Sequence, residues 1–224
     1  MKKIFNVATY QRDESLFRMM DSIYNQADEI NIALNLHDKI PNKFLNDPKI
    51  NCFLTDNLIG DGYKYYKLNE SDGYFFTVDD DLIYPSDYAQ YMIEKFEQYS
   101  GMYIVTLHGR VFYNYPIGSY YRSPHHNFTY FGDMNEDVFV HFGGSGVMMF
   151  HTNLLKFPYT DIKSANMGDI WLAKFANEKG IRIICIKHKM GYILNVPGVR
   201  TTIFDTYKFN DKAQTDLANT IKFS

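Results

Sequence analysis

The sequence predicts an α/β fold in a single domain, residues 1–224, with a central, mostly parallel sheet flanked by helices. Three observations lead to this expectation. Short apolar runs that suit buried strands alternate with segments of helical periodicity. The opening order of strand, helix and strand requires a crossover, which favours parallel pairing. No linker, internal repeat or low-complexity tract divides the chain.

The first third of the chain supplies the opening strands and a helix. Residues 4–9 are an apolar run, and Asp13 is expected to cap the helix that follows. The apolar side of that helix consists of Leu16, Met20, Ile23 and Ala27. Residues 30–36 and 50–54 are predicted to form two further strands.

A glycine-containing turn follows the third predicted strand. Gly60 and Gly62 flank Asp61, and Lys64 lies two residues further on. This pattern suits a tight turn that opens a helix, and a helix N-terminus beside a lysine can hold a phosphate. The spacing matches neither the P-loop nor the G-x-G-x-x-G pattern. An ordinary helix start with a surface lysine therefore stays open as the alternative.

The strongest functional signal lies in residues 74–85, where an apolar, aromatic run ends in Asp79, Asp80 and Asp81. Three adjacent carboxylates at a strand end repel one another, and a divalent cation is the usual compensation. Alternation along an extended chain predicts that Asp79 and Asp81 face a cation such as Mg²⁺ or Mn²⁺. Asp80 would then turn away from the cation, towards a stabilising partner such as Lys64 or Arg110. A solvated acidic turn is the alternative.

The second half of the chain combines regular elements with one long irregular stretch. We predict a helix from Pro85 to Tyr99, strands at 102–107, 138–142, 147–150 and 182–186, and a helix from about Asn166 to Glu178. Asp169 lies in the first turn of the last helix. Residues 109–137 are rich in aromatic, Asn and His residues, which suits contact with a sugar ring. A merely irregular covering loop is the alternative.

The composition excludes several classes of protein. A net charge of -3 argues against a nucleic-acid-binding protein. Cys52 and Cys185 lie in apolar runs and are predicted to be free thiols in a reducing compartment. No run approaches the roughly 18 to 20 apolar residues of a membrane span, and the first residues do not resemble a signal peptide. We therefore expect a cytoplasmic protein without a transmembrane segment, with contact at the inner face of the membrane left open.

Together, these motifs resemble those of the GT-A glycosyltransferases, close to the broad family 2 type that makes bacterial polysaccharides and glycans. The resemblance extends over about residues 4–190. It rests on residues 7–12 as the opening strand and loop, 60–64 as a G-D-x-x-K segment, 77–85 as the D-x-D region, 144–146 as a glycine turn and 167–171 as an acid at a helix start.

The resemblance implies a Rossmann-like GT-A domain with a nucleotide-sugar-binding half at about 1–107. An acceptor and catalytic half would follow at about 108–190, and residues 191–224 would form a tail that could act as a mobile lid. The implied activity is a metal-dependent hexosyl transfer from a nucleotide-diphosphate sugar to a glycan or another hydroxyl acceptor. A UDP-sugar is the expected donor.

The resemblance also implies roles for individual residues. Asp169 would be the general base of an inverting reaction, and Asp79 and Asp81 would hold Mn²⁺ or Mg²⁺, with His188 as a further candidate ligand. The candidate donor-binding residues are Thr9, Arg12, Asn35, Asp38, Asp61, Lys64, Asp79 and Asp80. Arg200 would assist Lys64 with the phosphates. The candidates to line the acceptor side are Tyr113, Tyr115, Tyr120 and Tyr121.

The chain departs from the family pattern at two places. The acid that often binds uracil is not evident, since only Asn35 or Asp38 could serve, and the usual Glu-Asp pair is Gly168-Asp169. Two other functions stay open. One is a haloacid-dehalogenase-like phosphohydrolase that uses Asp79 and Asp81, although that motif normally lies on the first strand of its domain. The other is a non-catalytic protein that binds nucleotide sugars or carbohydrates.

Overall fold

A computed structural model of the protein describes residues 1–198 and 206–223. Its strands are β1 (Lys3–Tyr10), β2 (Glu29–Asn35), β3 (Ile50–Thr55), β4 (Tyr74–Asp79), β5 (Leu82–Ile83), β6 (Ile104–Thr106), β7 (Gly109–Phe112), β8 (His125–Phe128), β9 (Val138–Val140), β10 (Phe142–Gly143), β11 (Val147–His151), β12 (Ile183–Cys185) and β13 (Leu194–Asn195). Its α-helices are α1 (Asp13–Ile23), α2 (Tyr88–Gln98), α3 (Gly168–Glu178) and α4 (Lys212–Ala218). Short 3₁₀ helices span Tyr24–Gln26, Asn42–Phe44, Gly60–Tyr65 and Tyr159–Asp161.

The central sheet has eight strands in the order β3-β2-β1-β4-β11-β6-β12-β9. Strands β1 to β4 pair in parallel, but β11 runs antiparallel to both β4 and β6, and β9 runs antiparallel to β12. The sheet is therefore mixed, and the expectation of a mostly parallel sheet is wrong. Val147, the first residue of β11, pairs with Val78 at the carboxyl end of β4. Because the chain enters β11 at that end without a crossover, it has to run back antiparallel.

Each face of the sheet covers its own hydrophobic core. Phe76 and Val78 of β4 belong to one core, together with the buried sides of α1 and α2. Phe75 of the same strand belongs to the other core, which α3 and α4 cover. A strand that is buried on both faces needs apolar residues at consecutive positions, which explains the continuous apolar run before the carboxylates.

A row of asparagines fixes the register of the parallel strands. Asn6, Asn31 and Asn51 are paired across β1, β2 and β3, and their side chains are linked by hydrogen bonds of 3.0 and 3.1 Å. Asn6 also donates to the carbonyl of Phe76 in β4 at 3.0 Å. Since a slip by one residue would separate the buried amides of Asn6 and Asn31 from their partners, the register is strongly specified, and the carboxyl ends of all four strands meet at one edge.

Several element boundaries differ from the predictions. Helix α1 begins at Asp13 with Arg12 as its N-cap, so the expected cap at Asp13 is wrong by one residue. The segment from Gly60 is a 3₁₀ helix and not the start of an α-helix. Both cysteines are free thiols, as predicted. Within residues 1–198 and 206–223, no helix combines the length and apolarity that crossing a membrane requires.

Candidate functional site

The strand order reverses direction between β1 and β4. From β1 the chain proceeds outward to β2 and β3, and it then returns to β4 on the other side of β1. In open α/β sheets, ligands bind in the crevice outside the carboxyl ends of the strands at such a switch point. Thr9 lies at the end of β1, and Asp79 ends β4 beside it.

Asp80 is tied to the first strand and to the start of the first helix. Its carboxylate accepts a hydrogen bond of 2.5 Å from the Thr9 hydroxyl, and its carbonyl oxygen accepts one of 2.6 Å from Ser15. The Arg12 guanidinium lies 3.4 Å from carboxylate oxygens of both Asp80 and Asp81. Burial raises the pKa of Asp80, while the hydrogen bond from Thr9 and the charge of Arg12 oppose that rise.

Asp79 pairs with the buried ammonium group of Lys64. The Lys64 side chain is 2% exposed, whereas that of Asp79 is 43% exposed. Lys64 also donates to the carbonyl and hydroxyl oxygens of Ser145, at 3.3 Å each. Burial lowers the pKa of Lys64, but the charges of Asp79 and Asp61 outweigh burial, so that its pKa is raised overall. Lys64 is thus a buried cation and not a surface lysine.

The alternation of side chains along a strand does not set the directions of the three carboxylates. Strand β4 ends at Asp79, and Asp80 and Asp81 lie in the turn that leads to β5. Consequently Asp80 and Asp81 share Arg12, while Asp79 has Lys64. The expected partners of Asp80, Lys64 or Arg110, are replaced by Thr9 and Arg12.

Arg12 and Lys64 do not fully balance the negative charge of the triplet. The pKa of Asp81 is raised to about 7, first by burial and then by the charges of Asp79 and Asp80. Carboxylate oxygens are the ligands that Mg²⁺ and Mn²⁺ prefer, so this donor set suits a hard cation. Among the described residues, however, no group of three or more His, Cys, Asp or Glu side chains is arranged to hold a metal ion.

Asp61 connects the Lys64 turn to α3. One of its carboxylate oxygens accepts a hydrogen bond of 3.0 Å from the amide of Gly168. A Cβ on Gly168 would lie 3.1 Å from the other oxygen, so this close approach favours glycine. Burial raises the pKa of Asp61 to about 7, with Lys64 opposing the rise and Asp169 adding to it.

Asp169 lies in the first turn of α3, as predicted. Its carboxylate accepts a hydrogen bond of 3.0 Å from the Tyr120 hydroxyl and one of 2.9 Å from the amide of Ile170. The Arg110 guanidinium lies over the Tyr120 ring, 4.5 Å from its centroid. Burial raises the pKa of Asp169, and the hydrogen bond from Tyr120 and the charge of Arg110 oppose it. A partly buried carboxylate with a raised pKa is suited to accept a proton.

The two candidates for the nucleotide base differ in their surroundings. Asn35 is buried, donates to the carbonyl of Gly60 at 3.2 Å and accepts a hydrogen bond from the Thr55 hydroxyl. It therefore holds the Gly60 turn against the end of β2. Asp38 is exposed in the loop that follows β2.

His188 is buried, and its ring nitrogens lie close to main-chain oxygens. One nitrogen is 2.7 Å from the carbonyl of Ile186, and the other is 3.1 Å from that of Thr129. Both nitrogens that could bind a metal are thus already engaged. Of the acceptor-side tyrosines, Tyr113 is exposed and Tyr120 is buried. Arg200 lies outside the described residues.

His108 belongs to the site although we assigned it no role from the sequence. Its Nδ1 atom is buried and has no hydrogen-bond partner among the described residues. Burial and the charge of Arg110 lower its pKa to about 4, and Asp79 opposes this shift. The only signal in the sequence is its position directly after an apolar run, at His108-Gly109-Arg110.

Gly146 is a second residue without an assigned individual role. A Cβ at this position would lie 1.9 Å from a carboxylate oxygen of Asp79. Glycine therefore leaves the space that the Asp79 side chain occupies. The glycine turn at 143–146 signalled a close approach, but it did not identify the group that approaches.

Comparison with known proteins adds no identification. No model of a protein family matches the chain, and no curated protein matches it.

Proposed function

We propose that this protein is a GT-A glycosyltransferase that moves a sugar from a nucleotide-diphosphate donor to a hydroxyl of a glycan or another acceptor. One observation carries the proposal. The acidic end of β4 lies at the switch point of the sheet, and Lys64 and Asp61 connect it to Asp169. A group of carboxylates suited to a metal and a separate carboxylate suited to a base thus lie on either side of Lys64 and Asp61.

On the donor side, Asp79 and Asp81 would hold Mn²⁺ or Mg²⁺. Such a cation, when bound, stabilises the negative charge that develops on the leaving diphosphate. The Arg12 guanidinium lies beside Asp81 and is partly exposed, which suits it to bind phosphate oxygens, whereas the buried Lys64 ammonium holds Asp79. Thr9 fixes Asp80 and with it the turn that presents Asp81.

On the acceptor side, Asp169 removes the proton from the attacking hydroxyl. The hydroxyl oxygen forms a bond to the anomeric carbon while the bond from that carbon to the diphosphate oxygen breaks and the electron pair leaves with the diphosphate. Attack from the side opposite the leaving group inverts the anomeric configuration. Tyr120 and Arg110 keep Asp169 ionised enough to act, because both favour the carboxylate form.

The proposed location is the cytoplasm, and contact with the inner face of the membrane is compatible with it. The free thiols Cys52 and Cys185 support a reducing compartment. The acceptor is then a glycan or another hydroxyl compound that is available on that side.

A panel of UDP, GDP, CMP and dTDP sugars, each with and without Mn²⁺, tests the proposal by thermal shift. We expect one nucleotide class to stabilise the protein in a metal-dependent manner, by about 3 kcal/mol at 100-fold excess over Kd. Asp81→Asn should abolish the metal dependence, and Asp216→Asn on the exposed side of α4 is the control. Metal-independent binding that Asp81→Asn leaves unchanged would contradict the metal assignment. Phosphate release from a phosphomonoester without any acceptor would instead indicate a phosphohydrolase.

A further inference from the structure

Helix α4 binds the loop between β7 and β8 through one row of side chains. Asp211, Thr215 and Asn219 are spaced four residues apart, so they lie on the same side of the helix and its ends. The Asp211 carboxylate accepts hydrogen bonds from the Ser119 hydroxyl at 2.6 Å and the Tyr121 amide at 2.8 Å.

The other two side chains of this row complete the contact. The Thr215 hydroxyl accepts a hydrogen bond of 2.9 Å from the amide of Tyr120. The Asn219 side chain accepts from the amide of Ile117 at 2.8 Å and donates to its carbonyl at 2.9 Å. Residues 113–124 form no strand, so these amides obtain from α4 the acceptors that a sheet would otherwise provide.

The opposite side of the same loop contacts Asp169. Tyr120 is 3% exposed, and its main chain is held by α4 while its hydroxyl donates to Asp169. Ala218 and Ile221 are buried in the same hydrophobic core as Ile170 of α3. Helix α4 therefore shares a core with the helix that presents Asp169, and it also holds the residue that hydrogen-bonds to Asp169.

We propose that Asp211, Thr215 and Asn219 are positioning residues that orient Asp169 through Tyr120. The proposal rests on the proposed function for its kinetic consequences, but the orientation of the Asp169 carboxylate can be measured without turnover. The carboxylate accepts a hydrogen bond from the Ile170 amide, which lies in the first turn of α3, where backbone acceptors are missing. Hydrogen exchange at Ile170 therefore reports on the carboxylate.

The experiment compares Asp211→Asn and Thr215→Val with Thr215→Ser, which keeps the hydroxyl, and Asp216→Asn. Asp216 lies on the same helix, but its side chain is 62% exposed and pairs with Lys212. We expect faster exchange at the Ile170 amide in both of the first two variants, together with faster exchange at the Tyr121 amide in Asp211→Asn and at the Tyr120 amide in Thr215→Val. The two controls should exchange as the wild type does. Unchanged exchange at Ile170 when the Tyr120 or Tyr121 amide exchanges faster would overturn the proposal.

Kinetics provide the second readout. Because the effect reaches Asp169 through the single hydrogen bond from the Tyr120 hydroxyl, Asp211→Asn and Thr215→Val should lower kcat about two- to tenfold, with an unchanged KM for the donor. The acidic limb of the pH profile should move to higher pH. In a Tyr120→Phe background neither change should have a further effect, and additive losses would overturn the route through Tyr120. If the wild-type protein has no transferase activity, the proposed function is refuted. The hydrogen-exchange experiment then still tests whether Asp211, Thr215 and Asn219 orient Asp169.

Discussion

Asp61 accepts a hydrogen bond of 3.0 Å from the amide of Gly168, the residue directly before Asp169. This contact joins two segments that lie 107 residues apart in the sequence. Together with the pair of Lys64 and Asp79, it places three carboxylates, Asp61, Asp79 and Asp169, around the buried ammonium of Lys64. The stability of the protein should therefore depend on the protonation of this group.

Asp61→Asn should change how stability depends on pH. The pKa of Asp61 is raised from 3.8 to about 7 in the folded protein. The folded state therefore binds the Asp61 proton more tightly than the unfolded state does. The contribution of this proton to the free energy of unfolding is fully present below about pH 4, and it is lost as the pH rises to about 7. Asp61→Asn removes this loss, which amounts to at most about 4 kcal/mol for a shift of this size. Urea unfolding at pH 5 and pH 8 measures it, with the exposed Asp38→Asn as control. An equal pH dependence in both variants would show that Asp61 does not titrate in this range.

Replacing either partner of the Lys64–Asp79 pair should have unequal effects. Lys64 is 2% exposed and Asp79 is 43% exposed, and the charge of Asp61 also acts on Lys64. Asp79→Asn leaves Lys64 beside Asp61 and should therefore cost about 2–3 kcal/mol of unfolding free energy, somewhat below the range for a fully buried pair. Lys64→Met leaves the partly buried Asp61 without the cation that lowers its pKa, and it should cost about 3–5 kcal/mol. Urea unfolding of both variants at pH 8 decides the order, and a larger loss in Asp79→Asn would contradict this explanation.

Gly146→Ala should displace Asp79 without unfolding the protein. The new methyl group would lie 1.9 Å from a carboxylate oxygen of Asp79, a side chain that can rotate away. Because the displaced carboxylate leaves Lys64, we expect a loss of about 2–3 kcal/mol of stability and the loss of metal-dependent nucleotide binding. At Gly118 the nearest atom to a new Cβ is 3.9 Å away, so Gly118→Ala is the matched control. Calorimetric titration with a nucleoside diphosphate and Mn²⁺ measures the affinity of both variants. Wild-type affinity in Gly146→Ala would contradict this prediction.

Asp169→Asn should lower turnover strongly and leave donor binding intact. A positioned general base typically contributes about 10²- to 10⁴-fold, and the variant should lose a factor of this size in kcat. Its dissociation constant for the nucleoside diphosphate should stay unchanged, because the proposed donor contacts lie at the end of β4. Full turnover in this variant would exclude Asp169 as the base.

Tyr120→Phe should shift the pH profile of the reaction. The Tyr120 hydroxyl stabilises the ionised form of Asp169 and so opposes the rise in its pKa that burial causes. Without it the pKa of Asp169 rises further, and activity should begin to fall at a higher pH than in the wild type. The measurement is kcat from pH 5 to 8. A shift towards lower pH would mean that Tyr120 favours the protonated form.

The sequence alone predicted the class of the fold and several of the groups that meet in the site. The apolar run before Asp79 identified β4, because a strand buried on both faces has to be apolar at consecutive positions. The local pattern around Asp169 placed it in the first turn of a helix, where it lies. These features depend on residues that are close in sequence, so the hydrophobic periodicity of the sequence predicts them.

The tertiary structure decided the direction of β11 and the partners of the carboxylates. Lys64 is buried against Asp79, and Tyr120 reaches Asp169. Both contacts depend on how distant segments pack, and the local periodicity of the sequence does not predict them. The contact of α4 with the β7–β8 loop spans about a hundred residues and has no counterpart in the pattern of the tail. The sequence by itself therefore determined which chemical groups the strands and helices present. Only the long-range packing determined which of them touch, because side-chain pairing follows from spatial proximity and not from local propensity.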